Sequence, residues 1–311
     1  MKIKHLLTLQ DLTPKEINDL IELAVKIKSE PADYYESLKN RTLLMIFERE
    51  SLRTRLSFET AMTQLGGYAI FLNVKDTPLG EKESIEDAIR CASRNVDIIM
   101  ARIRHKILEV IAKESKVPVI NAMTDFTHPC QILSDFLTIL EKKKQLRGLK
   151  MTYIGDSNNN TTHSLLFGCP KVGINLVVAC PQQKDFAPQS KVLKIAKVYA
   201  RKYKTKVEVT ENQAQAVKDA DIVYTDTWIS YYIPKEIREV RKKVLKRYQV
   251  NQVLLKKAKR NVIFMHCLPA LRGQEVTASV IDGPRSVVYD QAENRLHIQK
   301  ALLLTLLEAV K

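Results

Sequence analysis

The chain has 311 residues, 45% of them hydrophobic, which is enough for one large or two ordinary α/β domains with a sizeable core. Fifty Lys and Arg against 35 Asp and Glu give a formal charge of +15 and favour anionic partners, yet the basic residues are spread along the chain and aromatics are only 6%, which argues against nucleic acid as the partner. Five cysteines without a CxxC exclude a disulfide framework and a zinc ribbon, and with no apolar run of the roughly 18 residues a membrane span needs, the expectation is a cytoplasmic protein off the membrane.

In chain order, short β-like runs alternate with helical patterns. Thr13-Pro14-Lys15-Glu16 spells a capping box with Pro at the first helical position. A strand over 43–47, a helix over 51–65 stopped by Gly66-Gly67, and a strand over 68–72 follow. Ser84-Ile85-Glu86-Asp87 caps a helix to Ser93; strands over 97–103 and 117–122 flank a helix over 107–114, and a longer helix covers 128–142. The charged run from Glu141 to Gly148 marks a boundary, after which the alternation restarts. Strands over 151–154, 175–179, 207–210, 221–225 and 262–265 interleave with helices over 162–171, 191–203, 214–219 and 233–247, and a helix over 293–310 closes the chain. Such alternation predicts parallel sheets with helices on both faces, in two successive domains, 1–142 and 148–292.

Parallel sheets of this kind bind ligands beyond the carboxyl ends of their strands, and the notable motifs fall there. Ser51-Leu52-Arg53-Thr54-Arg55 follows the first strand directly. Free N–H groups at a helix start, two hydroxyls and two guanidiniums suit a phosphate; the plain alternative is a capped, solvated helix start. No GxxxxGK[ST] occurs, so this is no nucleotide P-loop. Arg102 closes another strand and is, by itself, equally a solvated strand end. His128-Pro129-Cys130-Gln131 opens a helix; its His and Gln can hydrogen-bond a carbonyl and an amide, or the His is a local cap. Cys267, in His266-Cys267-Leu268-Pro269, is core filler or a cleft thiol, and Arg272 and His266 nearby favour the thiolate. Asp226 and Asn159-Asn160 sit at two further strand ends, where together they can grip an ammonium.

Ser-x-Arg-Thr-Arg, His-Pro-Cys-Gln and His-Cys-Leu-Pro, in that order, resemble the carbamoyltransferases, on the ornithine rather than the aspartate side. KESIEDAIR, GDSNNN, VYTDTWIS and DQAENRLHIQKA extend the resemblance nearly end to end. It implies two doubly wound α/β domains with parallel sheets, the C-terminal helix of 293–311 returning to the first. It also implies a homotrimer or a multiple of trimers, no cofactor and no metal. The implied reaction moves the carbamoyl group of carbamoyl phosphate to the δ-amine of L-ornithine, giving citrulline and phosphate. Ser51, Leu52, Arg53, Thr54 and Arg102 would hold the phosphate, and His128, Gln131, Cys267, Leu268 and Arg295 the carbamoyl group. Asn160, Asp226, Ser230 and Tyr231 would bind ornithine, and Arg53, Arg102, His128, Asp226 and Cys267 carry the chemistry, with Cys267 orienting rather than attacking.

Four places depart from the family pattern: Leu52 for Thr, Tyr231-Tyr232 for Met-Gly, Leu271 for His, and Pro78 for a polar residue that reaches a neighbouring subunit's site. The phosphate half is nearly intact and the departures bear on the acceptor. They keep two other functions in view: carbamoyl transfer to putrescine or lysine, and a catalytically impaired relative acting as a basic scaffold.

Overall fold

The computed structural model describes residues 3–77, 82–231 and 233–310, so the departures at Pro78 and Tyr232 lie outside the described residues. The chain folds into two compact units, 1–137 with 293–311, and 138–292.

In the first unit the capping box forms as spelled. Thr13 Oγ1 accepts from the Glu16 N–H (3.2 Å) and Glu16 Oε2 from the Thr13 N–H (2.9 Å), starting α1 (Pro14–Ser29). Then come β1 (Thr42–Phe47), α2 (Leu52–Gln64), β2 (Tyr68–Asn73), α3 (Ile85–Ala92), β3 (Ile98–Arg102), α4 (His105–Glu114), β4 (Val119–Met123) and α5 (Pro129–Lys143). Gly66 ends α2 at φ 82°, where a side chain would be strained. The sheet is all parallel in the order β2-β1-β3-β4. β1, β3 and β4 read as near-continuous apolar runs because both their faces are covered; β2 is the edge, with Tyr68 and Ile70 exposed. Ile46, Ile99, Leu108 and Ile111 belong to the core on one face.

The second unit holds β5 (Lys150–Ile154), α6 (Asn160–Gly168), β6 (Asn175–Ala179), α7 (Ser190–Tyr203), β7 (Val207–Thr210), α8 (Gln213–Val217), β8 (Ile222–Thr225), α9 (Arg238–Leu245), α10 (Gln252–Leu255), β9 (Ile263–Met265) and α11 (Ala278–Ile281). Its sheet is also parallel, in the order β7-β6-β5-β8-β9. Tyr248, Leu255, Phe264 and Val280 pack in its core.

The expected doubly wound α/β architecture is therefore present, and α12 (Val288–Leu306) carries the chain back to the first unit. There Lys28 Nζ donates to Asn294 Oδ1 (2.8 Å) and pairs with Glu293 (3.3 Å). Two helix expectations need correction. The stretch expected as one helix over 233–247 breaks into a 3₁₀ turn, Lys235–Ile237, then α9, then a second turn, Lys246–Tyr248. Pro234 bars helix on its N-terminal side, and Arg238 turns back to the Ile233 carbonyl (Nη2, 3.1 Å). The closing helix starts five residues before Glu293, with Asp290 supplying the acid in its first turn.

Each strand order reverses direction once, between β1 and β3 in one sheet and between β5 and β8 in the other. Ligands of doubly wound sheets lie outside the carboxyl ends of the strands at that reversal. Ser51–Thr54 and Arg102 flank the first reversal, and Asn159-Asn160 and Asp226 the second.

Candidate active site

In the first unit, Phe47 and Arg102 are register partners, as are Arg102 and Met123, so the ends of β1, β3 and β4 lie side by side. Ser51 caps α2: its Oγ accepts from the Thr54 N–H (3.2 Å). The helix-start reading and the anion reading are thus compatible, because the cap uses a lone pair of the hydroxyl and leaves its proton to donate. Leu52, one of the departures, is 76% exposed, so its part in any cradle is its backbone N–H. Thr54 is buried and its Oγ1 accepts from Arg295 Nη2 (2.9 Å), which ties α12 to the start of α2.

His128, immediately before α5, is buried, and its pKa lies well below the usual imidazole value. Burial is the largest cause; the charges of Arg295, Arg102 and Arg53 follow, each opposing a further positive charge. Three guanidiniums from three separate stretches of sequence therefore bear on one neutral imidazole. Gln131 lies on the first turn of α5, is 1% exposed, and donates through Nε2 to Asp135 Oδ1 (2.9 Å). Cys130 beside it is fully buried, with its thiol pushed up to about 12; the sulfur donates to the Asn121 carbonyl (3.3 Å) and packs as core.

In the second unit, Asn159 caps α6: Oδ1 accepts from the Thr162 N–H (2.8 Å), and Nδ2 donates to Tyr153 Oη (2.9 Å) and to the Asp156 carbonyl (2.7 Å). Asn160, the next residue, opens α6 and accepts from Thr161 Oγ1 (3.4 Å). Asp226 is buried after β8 and collects donors: Thr161 Oγ1 (2.8 Å), the Thr227 N–H (2.7 Å) and Cys267 Sγ (3.1 Å). Strand order explains the meeting, because β5, β8 and β9 are neighbours and Asn160, Asp226 and Cys267 follow their carboxyl ends. Ser230 and Tyr231 lie further along the loop after β8, Tyr231 exposed.

Arg272 and His266, expected to make the surroundings of Cys267 electropositive, are each engaged with a carboxylate. Arg272 pairs with Asp282 on the surface (2.6 Å), and the Cys267 thiol donates to a carboxylate. Both ring nitrogens of His266 are engaged: its Nδ1 accepts from the Leu268 N–H (2.9 Å) and its Nε2 meets Glu275 Oε1 (3.3 Å). Leu271, another departure, acts through its backbone, its N–H donating to Glu275 Oε1 (2.6 Å).

Among the described residues one trio could hold a metal, Asp226, His266 and Cys267, with donor atoms within 4.8 Å of one another. Both ring nitrogens of His266 are already engaged, so ligation would first break the turn they hold. Sequence reasoning missed Thr161, Asp135 and Glu275. Each is buried: Asp135 acts on Gln131 from four positions away, Glu275 on His266 from nine, and Thr161 on Asp226 from an adjoining strand end.

Residues 4–141 match the carbamoyl-P binding domain of aspartate/ornithine carbamoyltransferase, and residues 147–306 its Asp/Orn binding domain. The chain belongs to the aspartate/ornithine carbamoyltransferase family. Among relatives, ornithine carbamoyltransferase of Pyrococcus abyssi is 48% identical over 100% of this chain and 98% of its own length. A protein of Pyrococcus furiosus described as ornithine carbamoyltransferase, anabolic, is 47% identical over 99% and 98%. Among solved structures, ornithine carbamoyltransferase from Pyrococcus furiosus aligns with a TM-score of 0.93 at 47% identity, covering 99% of this chain and 98% of that one. Ornithine transcarbamoylase from Giardia lamblia aligns at 0.90 and 40% identity over the whole of both chains. The family's two named domains divide the chain where its alternation restarts, with Arg53, Arg102 and His128 in the carbamoyl-P part and Asp226 and Arg295 within the residues matched by the Asp/Orn part.

Proposed function

We propose that this protein transfers the carbamoyl group of carbamoyl phosphate to the δ-amine of L-ornithine, yielding L-citrulline and phosphate. The observation that carries the reading is the convergence of Arg53, Arg102 and Arg295 on a buried, neutral His128 at a strand-order reversal. Three cations about one neutral imidazole suit a compact dianion beside a group able to hydrogen-bond a carbonyl. Ser51, Thr54 and the Leu52 N–H add donors; Gln131, Cys267 and Leu268 complete the carbamoyl contacts. Asp226 and Asn160 take ornithine's α-groups, with Ser230 and Tyr231 on the same loop. Domains 1–142 and 148–292 divide these duties between donor and acceptor.

In the reaction the δ-nitrogen attacks the carbamoyl carbon. The bond from that carbon to the phosphate oxygen breaks, the phosphate leaves with its electron pair, and the nitrogen sheds one proton. Guanidiniums held in place stabilise the charge that grows on the leaving phosphate, which lowers the barrier rather than merely tightening binding. A neutral imidazole at His128 polarises the carbonyl without a further cation in the interior. The amine reacts only as its free base, and neighbouring positive charge favours that form. Cys267 holds Asp226 through its thiol proton and is no nucleophile.

The same reading makes the protein a cytoplasmic homotrimer. No described helix is long and apolar enough to cross a membrane, and all five cysteines are free. Leu52, Leu56, Tyr68 and Ile70, on α2 and the edge strand β2, are exposed apolar residues of the kind that a second copy covers. The direct test mixes purified protein with carbamoyl phosphate and L-ornithine: citrulline and phosphate should appear in equal amounts. Phosphate release without citrulline, or no turnover while inorganic phosphate still binds, would overturn the reading.

A further inference from the structure

We propose that Asp135 is a positioning residue that fixes which way round the Gln131 amide stands, and thereby makes the site select a donor bearing an amino group. The proposal rests on the carbamoyl phosphate reading above.

A glutamine amide has two ends of almost equal shape and opposite hydrogen-bonding sense. A carbamoyl group likewise offers two partners, a carbonyl oxygen that accepts and an NH₂ that donates. A glutamine at this position can therefore read either one, depending on its orientation, and its own sequence position does not decide between them. The residue one turn further along α5 does. Asp135 is 0% exposed, and its Oδ1 lies 2.9 Å from the Gln131 amide nitrogen. An ionised carboxylate only accepts, so the Nε2 end must face it. Gln131 Oε1 is left buried, with no hydrogen-bond partner among the described residues. A buried acceptor without a partner calls for a donor, and the donor that carbamoyl phosphate supplies is its NH₂. Acetyl phosphate carries a methyl group at that place. It would leave Oε1 unpaired, and a site built around a hydrogen bond rejects the analogue that lacks it.

The i,i+4 spacing makes this a rigid device. Both side chains lie on one face of a regular helix, so Asp135 can hold the amide before any ligand arrives. Truncating or neutralising Asp135 lets the amide turn over and present either end.

The test compares carbamoyl phosphate with acetyl phosphate in wild type, Asp135→Asn and the double variant Gln131→Glu/Asp135→Asn. The readouts are KM for carbamoyl phosphate, and Ki for acetyl phosphate and for inorganic phosphate as competitors. In Asp135→Asn, the preference for carbamoyl over acetyl phosphate should fall by about 10-fold or more, with Ki for inorganic phosphate unchanged because the guanidiniums are untouched. In the double variant the new amide at 135 donates and the new carboxylate at 131 accepts, so an acceptor again faces the donor NH₂ and the preference should return. Equal weakening of all three ligands in Asp135→Asn would make Asp135 merely structural and overturn the proposal. Should the single variant fail to fold, a folded double variant that lacks the preference overturns it equally. Wild type that makes no citrulline refutes the function itself, whereas citrulline formation with an unchanged preference in Asp135→Asn refutes only the role of Asp135.

Discussion

The charge of Arg53 bears on His128 from the start of α2, and in the proposed reaction Arg53 meets the phosphate. Arg53→Ala should lower kcat on the order of 10²–10³-fold, the usual cost of one donor to charge developing in the transition state. Steady-state kinetics with a melting curve checks this, and near-normal kcat in a folded variant would remove the arginine from the mechanism. Cys267 should behave differently. Serine can donate to Asp226 as the thiol does, so Cys267→Ser should keep partial activity, and mass spectrometry under turnover should find no carbamoyl adduct on Cys267. His128 gives a pH signature. Its folded pKa is depressed, so below about 6.5 the unfolded chain takes up a proton that the folded chain refuses. Stability contributed by this group is full above that pH and lost as pH falls, with a slope of up to about 1.4 kcal/mol per pH unit. His5, lowered to about 4, and His297 act in the same direction. His128→Gln should therefore flatten, without abolishing, the fall in Tm between pH 6.5 and 5; an unchanged slope would mean that the imidazole is not held neutral.

At the scale of elements, the loop after β5 and the helix after the acceptor loop are joined by one buried ion pair. Arg241 Nη2 on α9 donates to Asp156 Oδ2 (2.5 Å), both groups are almost fully buried, and the guanidinium also stacks over Phe186 (4.4 Å to the ring centre). Burial pushes the Asp156 carboxyl up to about 6 against the pull of Arg241. Removing either partner strands a charge in the interior, so Asp156→Asn should cost about 3–5 kcal/mol in denaturant unfolding. A loss under 1 kcal/mol would mean that solvent reaches the pair. Nothing in the sequence announced this contact, because its members are 85 positions apart. What was legible followed local rules: the capping box at Thr13, the stop at Gly66, and the apolar runs of β1, β3 and β4. The order of the strands was not legible, since parallel pairing leaves no mark on neighbouring residues. Yet it is the strand order that sets Ser51–Thr54 beside Arg102, and Asn160 beside Asp226 and Cys267. The candidate site residues stood out in the sequence because each motif stands at a strand end. The residues that orient them, Asp135, Thr161 and Glu275, were missed because a buried polar side chain looks in sequence like any surface one.

For the whole molecule, the exposed apolar residues of α2 and β2 predict self-association. Tyr68→Lys with Ile70→Asp should shift the mass measured by light scattering from trimer to monomer while leaving the far-UV spectrum intact; a wild-type monomer would remove the trimer from the account. The central claim is the identity of the acceptor. On the proposed reading Asp226 meets the α-ammonium and Asn160 the α-carboxylate; ornithine and lysine carry both groups, putrescine has amines but no carboxylate, and chain length separates the first two. The decisive measurement is kcat/KM for L-ornithine, L-lysine and putrescine side by side at saturating carbamoyl phosphate. Ornithine should lead both others by at least about 10-fold, a difference of roughly 1.4 kcal/mol at the transition state. A lead for lysine or putrescine, or no reaction with any of the three, would contradict the account.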